Sequence, residues 1–300
     1  MAQVRISPSI ALEVERLGDP AAPAVLLIMG LGMQLTAWPD ELVDGLVARG
    51  LQVVRFDNRD AGLSTQIDGF VPRAIGTAML RRTFGLPVHA PYTLRDLAAD
   101  AVALLDALGL ARAHVVGASM GGMVAQIVAG RHGARVSSLT SIMSSSGVRW
   151  LAPPRPDALR ALLKRPPRGA DVDALVAHYV GLFGVIGSPG HPTPQHVLRE
   201  RLGRSLRRAY RPAGTARQLL AILASGDRRH ELAAITVPSL VIHGAADPLV
   251  PVSHGRDTAR RIGGSELFIV PGMGHDLPPS LMPTLVERIA AHCTLAQARK

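Results

Sequence analysis

The sequence predicts an α/β protein with a mostly parallel central sheet flanked by helices and interrupted by a helical insertion. Short continuous apolar runs, typical of strands buried on both faces, alternate with segments of helical periodicity up to residue 147 and again from residue 230. Between them, residues 148–229 show helical patterns separated by proline-rich joints and no strong strand. We therefore predict one core domain, residues 1–147 and 230–300, and an inserted helical lid, residues 148–229.

The predicted elements follow one another in the order that such a sheet requires. Before the insertion they are an alternating strand over 6–16, a strand over 24–29, a helix over 38–49, a strand over 51–56, a loop with one short helix from Ala74 to Thr83, a helix over 93–108, a strand, turn and helix over 113–131, and a strand over 136–143. The insertion contains helices over 158–163, 172–183, 197–206 and 216–223. The core then resumes with a strand over 239–243, a helix over 253–262, a strand over 266–270 and a helix over 280–292.

The charge of the chain does not indicate a nucleic-acid-binding protein. The formal charge of +10 comes almost entirely from arginine, since Lys164 and Lys300 are the only lysines. The arginines are scattered and aromatic residues make up only 3 %, so we interpret the arginines mainly as solvated surface. The alternatives are a preference for anionic substrates and non-specific binding of polyanions at low salt. The longest apolar run, residues 24–33, is too short for a membrane span, and the first residues show no signal-peptide pattern. A cytoplasmic protein is expected.

The clearest functional signal is the Gly-x-Ser-x-Gly motif of residues 117–121, which lies between a strand-like run and a helical pattern. In this setting the turn holds Ser119 in a strained backbone conformation, and the two glycines allow the strand and the helix to approach closely. The hydroxyl then lies at the amino end of the helix, where the Met120 N–H and the helix dipole stabilise a developing oxyanion. Ser119 is predicted to be a nucleophile, and a structural serine turn is the alternative.

A serine nucleophile needs a base and a carboxylate that orients the base, and two later loops provide them. Asp247 follows one predicted strand, and His275 lies in a glycine-rich loop after the next. Because the carboxyl ends of parallel strands meet at one edge of a sheet, we expect both side chains near Ser119, and the chain order Ser, acid, His fits this arrangement. Asp276 is the rival acid, although a residue adjacent to the histidine rarely reaches its Nδ1 side.

The other histidines and the cysteine indicate no further site. His243 ends a predicted strand and is expected to form a local hydrogen bond, and His114 begins the strand of the nucleophile, at the edge opposite the site. Cys293, the single cysteine, is interpreted as a buried or incidental thiol. No metal site is predicted, because no cluster has metal-ligand spacing. No cofactor is predicted either, since Gly-Leu-Gly at 30–32 is too short for a dinucleotide-binding motif and no Gly-x-Gly-x-x-Gly follows a strand. The histidines of the insertion are interpreted as surface or packing residues: His178, His191 and His196.

Four segments resemble the α/β-hydrolase superfamily, and within it the serine esterase group that includes aclacinomycin methylesterase. They are Leu-Ile-Met-Gly at 27–30, Asp-Asn-Arg-Asp-Ala-Gly-Leu-Ser at 57–64, Gly-Ala-Ser-Met-Gly at 117–121 and Pro-Gly-Met-Gly-His at 271–275. The resemblance covers nearly the whole chain. It implies the α/β-hydrolase fold, a catalytic triad of Ser119, Asp247 and His275, and an oxyanion hole formed by the backbone N–H groups of Leu31 and Met120.

Two details of the resemblance concern the surroundings of the site. The superfamily commonly has His-Gly where this chain has Met29-Gly30, and a backbone oxyanion donor does not need that imidazole. The segment 57–64 is expected to fix a turn near the site, with Arg59 and Asp60 as structural residues.

The predicted function is hydrolysis of a carboxylic ester of a small, partly apolar molecule through an acyl-enzyme. The alternatives with the same triad are a lactonase, a thioesterase, a carbon–carbon bond hydrolase and a cofactor-free perhydrolase, and the non-enzyme alternative is a small-ligand receptor of the same fold. Dehalogenases and epoxide hydrolases are disfavoured, since their nucleophile at this turn is aspartate. The predicted substrate pocket includes Met29, Trp150, Tyr179 and Phe183, and the sequence does not indicate the oligomeric state.

Overall fold

The structure is a computed structural model that describes residues 1–70 and 75–298. At its centre lies a single sheet of eight strands. The strands are β1 (Ala2–Arg5), β2 (Ala11–Leu17), β3 (Ala24–Ile28), β4 (Gln52–Phe56), β5 (Ala113–Ala118), β6 (Val136–Ile142), β7 (Ser239–Gly244) and β8 (Glu266–Val270). Their order in the sheet is β1-β2-β4-β3-β5-β6-β7-β8. β2 pairs antiparallel with β1 and β4, and the remaining pairs are parallel. The predicted fold class is therefore confirmed.

Helices cover both faces of this sheet. They are α1 (Asp40–Val47), α2 (Ile75–Thr83), α3 (Leu94–Ala107), α4 (Met120–Arg131), α5 (Pro156–Leu163), α6 (Val172–Ile186), α7 (Gln195–Arg208), α8 (Pro212–Ser225), α9 (Arg229–Ala233), α10 (Val252–Arg261) and α11 (Met282–Ala298). The predicted short helix is α2, and its predicted first residue, Ala74, lies outside the described residues. Helices α5 to α8 belong to residues 148–229, where no strand lies.

The two faces of β3 explain why this strand is apolar at every position. Val25 and Leu27 belong to the core that packs against α1 and α11, whereas Leu26 and Ile28 belong to the core on the side of α3 and α4. Since successive side chains of a strand point to opposite faces, a strand covered on both sides shows a continuous run and no alternation.

The predicted opening strand over residues 6–16 is wrong in its first half. Residues 6–10 form the turn of a hairpin that joins β1 to β2, in which the Ile10 carbonyl accepts from the Ile6 and Ser7 N–H groups at 3.0 and 3.2 Å. The Ser7 hydroxyl accepts from the Ile10 N–H at 3.1 Å. Ser-Pro-Ser at 7–9 favours a turn, because proline has no N–H to donate to a neighbouring strand and the serine hydroxyl forms hydrogen bonds with nearby backbone groups.

The functional site is expected at the topological switch point of the sheet, where consecutive strands are added on opposite sides of β3. β3 pairs with β4 on one side and with β5 on the other. The connections that leave β3 and β5 therefore diverge and open a crevice at the carboxyl ends of these two strands. The loop that begins with Gly30 and the turn that contains Ser119 both lie at this crevice.

Candidate active site

Ser119 occupies a strained turn between β5 and α4. Its φ is +55° and its ψ is −118°, a combination that side chains rarely adopt and that costs on the order of 1–3 kcal/mol. Backbone hydrogen bonds hold the turn, since the Ser119 N–H donates to Ile142 O at 2.9 Å and its carbonyl accepts from the Met123 N–H at 3.2 Å. Met120 is the first helical residue, and its N–H has no acceptor within the helix.

The two glycines of the motif are required by close contacts between backbones. A Cβ on Gly117 would lie 2.1 Å from the Gly121 carbonyl oxygen, and a Cβ on Gly121 would lie 1.9 Å from that of Ile28. The turn can therefore pack against β3 only without side chains at these two positions, as the sequence predicts.

We expect Gly121→Ala to lower the free energy of unfolding by more than about 4 kcal/mol, because neither backbone in contact can move without breaking the sheet. Gly181→Ala is the matched control, since an added Cβ there, in the interior of α6, meets nothing within 4 Å. Alanine is a better helix former than glycine, so Gly181→Ala should stabilise by about 0.5–1 kcal/mol. Urea denaturation of both variants measures the contrast, and equal effects of the two would contradict the contact argument.

Three side chains from separate loops form a continuous series of hydrogen bonds at the end of the sheet. The distance from Ser119 Oγ to His275 Nε2 is 3.0 Å, and His275 Nδ1 lies 2.7 Å from Asp247 Oδ2. A carboxylate only accepts, so Nδ1 carries the proton and Nε2 accepts from the serine hydroxyl. All three predicted residues thus lie together in the geometry that activates an alcohol.

Asp247 is held so that only one of its oxygens faces the imidazole. Its Oδ1 accepts from the backbone N–H groups of Leu249 and Val250 at 2.9 and 2.8 Å. Oδ2 is left for His275, and the whole side chain is buried. The turn that begins at Asp247 and Pro248 is therefore held through Oδ1, and His275 is bound through Oδ2 of the same carboxylate.

His243 forms the local hydrogen bond expected from its position at the end of β7. Its Nε2 lies 2.7 Å from the carbonyl oxygen of Val250, and its distance to Asp247 Oδ2 is longer, 3.7 Å. Burial lowers the pKa of His243 and favours the neutral ring.

Asp276 bonds away from the imidazole, to a segment of the insertion. Its Oδ1 accepts from the Ser188 hydroxyl, which in turn accepts from the Gly274 N–H at 2.8 Å. The His275 N–H donates to Ile186 O at 2.7 Å. Burial raises the pKa of Asp276. The loop that carries the histidine is thus attached to the end of α6. No sequence pattern predicts this contact, because it joins residues almost 90 positions apart.

The segment 57–64 forms the turns expected of it and binds the end of β3. The N–H of Ala61 donates to Asn58 O at 3.0 Å, and Asp60 has a φ of +69°. The Asn58 amide donates to Met29 O at 3.1 Å. Gly30, next in the chain, lies against Ser119, since an added Cβ would be 3.3 Å from the serine Cβ. The segment therefore supports the loop predicted to provide an oxyanion donor.

Two arginines of the insertion form ion pairs with this segment. Arg208 of α7 donates to Asp57 Oδ2 at 2.7 Å, and Arg217 of α8 binds both oxygens of Asp60 at 2.6 and 2.8 Å. Both carboxylates are fully buried. The sequence predicts that the arginines lie mainly on the solvated surface, and these two are exceptions because each neutralises a buried aspartate.

The four residues predicted to line the substrate pocket lie in different surroundings. Phe183 lines a cavity of about 320 Å³ that also touches Asp276 and the loop around Asp247. Met29 is buried in the core, and Tyr179 has a pKa raised to about 12 by burial and by Tyr210.

Trp150 is 65 % exposed and stacks with Arg229, whose Cζ lies 4.9 Å from the centre of the indole ring. The assignment of these four residues to one pocket stays a prediction.

None of the helices in the described part of the chain has the length and apolar character needed to cross a bilayer. Residues 1–70 and 75–298 contain no group of three or more histidine, cysteine, aspartate or glutamate side chains placed to hold a metal ion. Cys293 is buried, as predicted, and burial raises its pKa to about 12.

A mostly parallel eight-stranded sheet with a serine at a strained strand-to-helix turn is characteristic of α/β-hydrolases. A family model described as alpha/beta hydrolase fold matches residues 23–278, and the chain belongs to this family. Rhodomycin D methylesterase DnrP of Streptomyces peucetius is 31 % identical over 96 % of both chains. 3-Oxoadipate enol-lactonase 1 of Acinetobacter baylyi is 25 % identical over 86 % of this chain and 84 % of its own. The crystal structure of the enol-lactonase from Burkholderia xenovorans LB400 superimposes with a TM-score of 0.68 at 23 % identity and covers 97 % of this chain and 99 % of its own.

Proposed function

We propose that this protein is a serine hydrolase that cleaves carboxylic esters, with Ser119 as nucleophile, His275 as general base and Asp247 as the acid that orients the base. The observation that carries the proposal is the continuous series of hydrogen bonds from the serine hydroxyl through the imidazole to a buried carboxylate. The similarity to rhodomycin D methylesterase over nearly the full length of both chains supports carboxylic ester hydrolysis as the class of reaction.

The geometry supports the following steps. The Ser119 oxygen attacks the ester carbon while His275 Nε2 accepts the hydroxyl proton, and Asp247 stabilises the imidazolium that forms. The N–H groups of Leu31 and Met120 stabilise the oxyanion. The leaving alcohol takes the proton from Nε2 and departs. The acyl group then remains bound to Ser119 Oγ. Water, deprotonated by the same nitrogen, then attacks the acyl carbon. The bond to Ser119 Oγ breaks, Oγ takes the proton back from Nε2, and the carboxylic acid leaves.

We propose a methyl ester of a partly apolar small molecule as the substrate class. The methylesterase relative supports it. The cavity of about 320 Å³ that Phe183 and Asp276 line is not lined by Ser119 or His275, so it does not define the substrate class. Residues 148–229 would then act as the lid that selects the substrate.

A lactonase is the second candidate, because an enol-lactonase relative is 25 % identical over most of the chain. The triad chemistry is the same for a cyclic ester, and only the leaving group stays attached to the product. The discriminating observation is therefore the ratio of kcat/KM for a lactone and for a methyl ester of matched size.

The test uses the wild-type protein with p-nitrophenyl acetate and butyrate, methyl esters of aromatic acids, and lactones and thioesters of matched size. A fluorophosphonate, which phosphonylates activated serines, is used in parallel. We expect turnover of esters and addition of one phosphonyl group to the peptide that contains Ser119. Absence of turnover across the panel together with stoichiometric ligand binding would favour a receptor, and labelling at another residue would contradict the assignment of the nucleophile.

A further inference from the structure

Gln218 of α8 is a fully buried amide whose two ends both bond to backbone at the active site. Its Oε1 accepts from the Gly32 N–H at 2.8 Å, and its Nε2 donates to the Arg59 carbonyl at 2.8 Å. Gly32 follows Leu31, the predicted oxyanion donor. A side chain of the insertion thus bonds directly to the loop next to Ser119.

The loop in question is a tight turn with one defined peptide orientation. The Met33 N–H donates to Gly30 O at 3.2 Å, and Gly32 has a φ of +67°. A positive φ at the third residue is the signature of a type II turn, which differs from a type I turn by a flip of the central peptide. That central peptide joins Leu31 to Gly32, and its N–H is the group that Gln218 binds. The glutamine therefore favours the type II turn. The Leu31 N–H belongs to the preceding peptide, whose Gly30 carbonyl accepts from the Met33 N–H, so the closed turn also fixes the direction of the Leu31 N–H.

Helix α8 holds Gln218 firmly because its neighbours are anchored too. Arg217 binds both oxygens of the buried Asp60. Thr215 lies against the same turn, since a Cβ on Gly32 would be 2.5 Å from its hydroxyl oxygen. The Asn58 amide holds the other end of the loop through the Met29 carbonyl. The turn is thus fixed from the core on one side and from the insertion on the other.

We infer that Gln218 is a positioning residue that holds the Leu31 N–H in the orientation needed to stabilise the oxyanion, so that the insertion contributes to the chemical step as well as to substrate binding. The inference rests on the proposed function. Gln218 acts through the turn and does not touch the reacting atoms. Its removal affects the transition state, where the oxyanion is formed, more than the bound substrate.

Gln218→Met keeps the volume of the side chain and removes both hydrogen bonds. We expect kcat for an ester to fall about 10- to 100-fold with KM within twofold of wild type, since loss of one whole oxyanion donor costs ~10²–10³. The affinity for a trifluoromethyl ketone, which forms a tetrahedral adduct with the serine, should fall by the same factor as kcat/KM. The pH dependence of kcat should keep its midpoint, because the base is untouched.

Gln52→Met is the matched control. Gln52 is equally buried, accepts from Arg16 at 3.3 Å and donates to Asp19 O at 3.4 Å, but it lies at the amino end of β4, at the opposite edge of the sheet. Its loss should leave kcat and the ketone affinity unchanged. Equal effects of the two substitutions, or an effect of Gln218→Met on KM alone, would overturn the inference.

A second variant and a second measurement cover the case in which Gln218→Met does not fold. Burial favours the protonated carboxyl in Gln218→Glu, which keeps an acceptor toward the Gly32 N–H and a donor toward the Arg59 carbonyl. This variant should retain protection of the Gly32 amide from hydrogen exchange, with kcat reduced less than tenfold. Full kcat with an unprotected Gly32 amide, in any folded variant, would contradict the inference. If the wild-type protein turned over no ester and bound no phosphonate at Ser119, the proposed function would fail, and this inference with it.

Discussion

Ser119→Ala is expected to lower kcat for ester hydrolysis by about 10⁶, to the level left by the oxyanion hole and substrate binding alone. The serine oxygen is the only atom in the hydrogen-bonded series that can form the acyl-enzyme, and His275 has no other alcohol within the contacts that the structure gives it. Alanine keeps the Cβ, and with it the backbone strain, and adds no atoms, so the fold should be retained. Steady-state kinetics with p-nitrophenyl butyrate, together with thermal denaturation, measures both effects.

Ser138→Ala is the matched control for the loss of a buried hydroxyl. Ser138 lies in β6, and its Oγ is 2.8 Å from Nδ1 of His114, at the opposite edge of the sheet from the nucleophile. Its substitution should leave kcat within about twofold of wild type, as is usual for positions remote from the chemistry. Turnover of Ser119→Ala at the wild-type rate would exclude the proposed mechanism.

Asp247→Asn is expected to lower kcat by about 10⁴ with little change in KM. The amide keeps the shape of the carboxylate, and its oxygen can still accept from Leu249 and Val250. Its NH₂ group then faces His275 Nδ1 and donates to it, which forces the ring proton onto Nε2. In that tautomer the imidazole cannot accept the proton of Ser119. The measurement is kcat and KM across pH 6–9, with the fold monitored by circular dichroism.

Asp276→Asn provides the comparison, because Asp276 is the neighbouring carboxylate and bonds to Ser188. An asparagine there keeps an oxygen that accepts from the serine hydroxyl, so kcat should fall by less than about tenfold. A larger loss in Asp276→Asn than in Asp247→Asn would reverse the assignment of the orienting acid.

The positions of Ser119, Asp247 and His275 could be predicted from the sequence because each residue follows a predicted strand in a turn or loop with a distinctive local sequence. The serine lies between two glycines that the backbone contacts require, and Asp247 and His275 follow successive strands of a parallel sheet. Parallel strands bring their carboxyl ends to one edge whatever the details of packing. A local pattern and one rule of topology were therefore sufficient to bring the three side chains together.

The contacts between the insertion and the core could not be predicted in the same way. Arg217 pairs with Asp60 and Gln218 with Gly32, across 157 and 186 positions of the chain. The periodicity of a helix does not predict which of many arginines is buried. A glutamine on an amphipathic helix is normally predicted to face the solvent. Such pairings depend on the angle at which α8 meets the sheet, which is a property of the folded chain and not of any short segment.

The attachment of the His275 loop to the insertion has a consequence for recombination between relatives. The Ile186 carbonyl binds the histidine N–H, and Gln218 binds the turn on the other side of the serine. A chimera that received residues 148–229 from another α/β-hydrolase would replace Ile186 and Gln218, the insertion side of both contacts. The exchange would preserve turnover only where the donor segment supplies equivalents of both. We therefore expect an exchange of the insertion to change reactivity together with specificity.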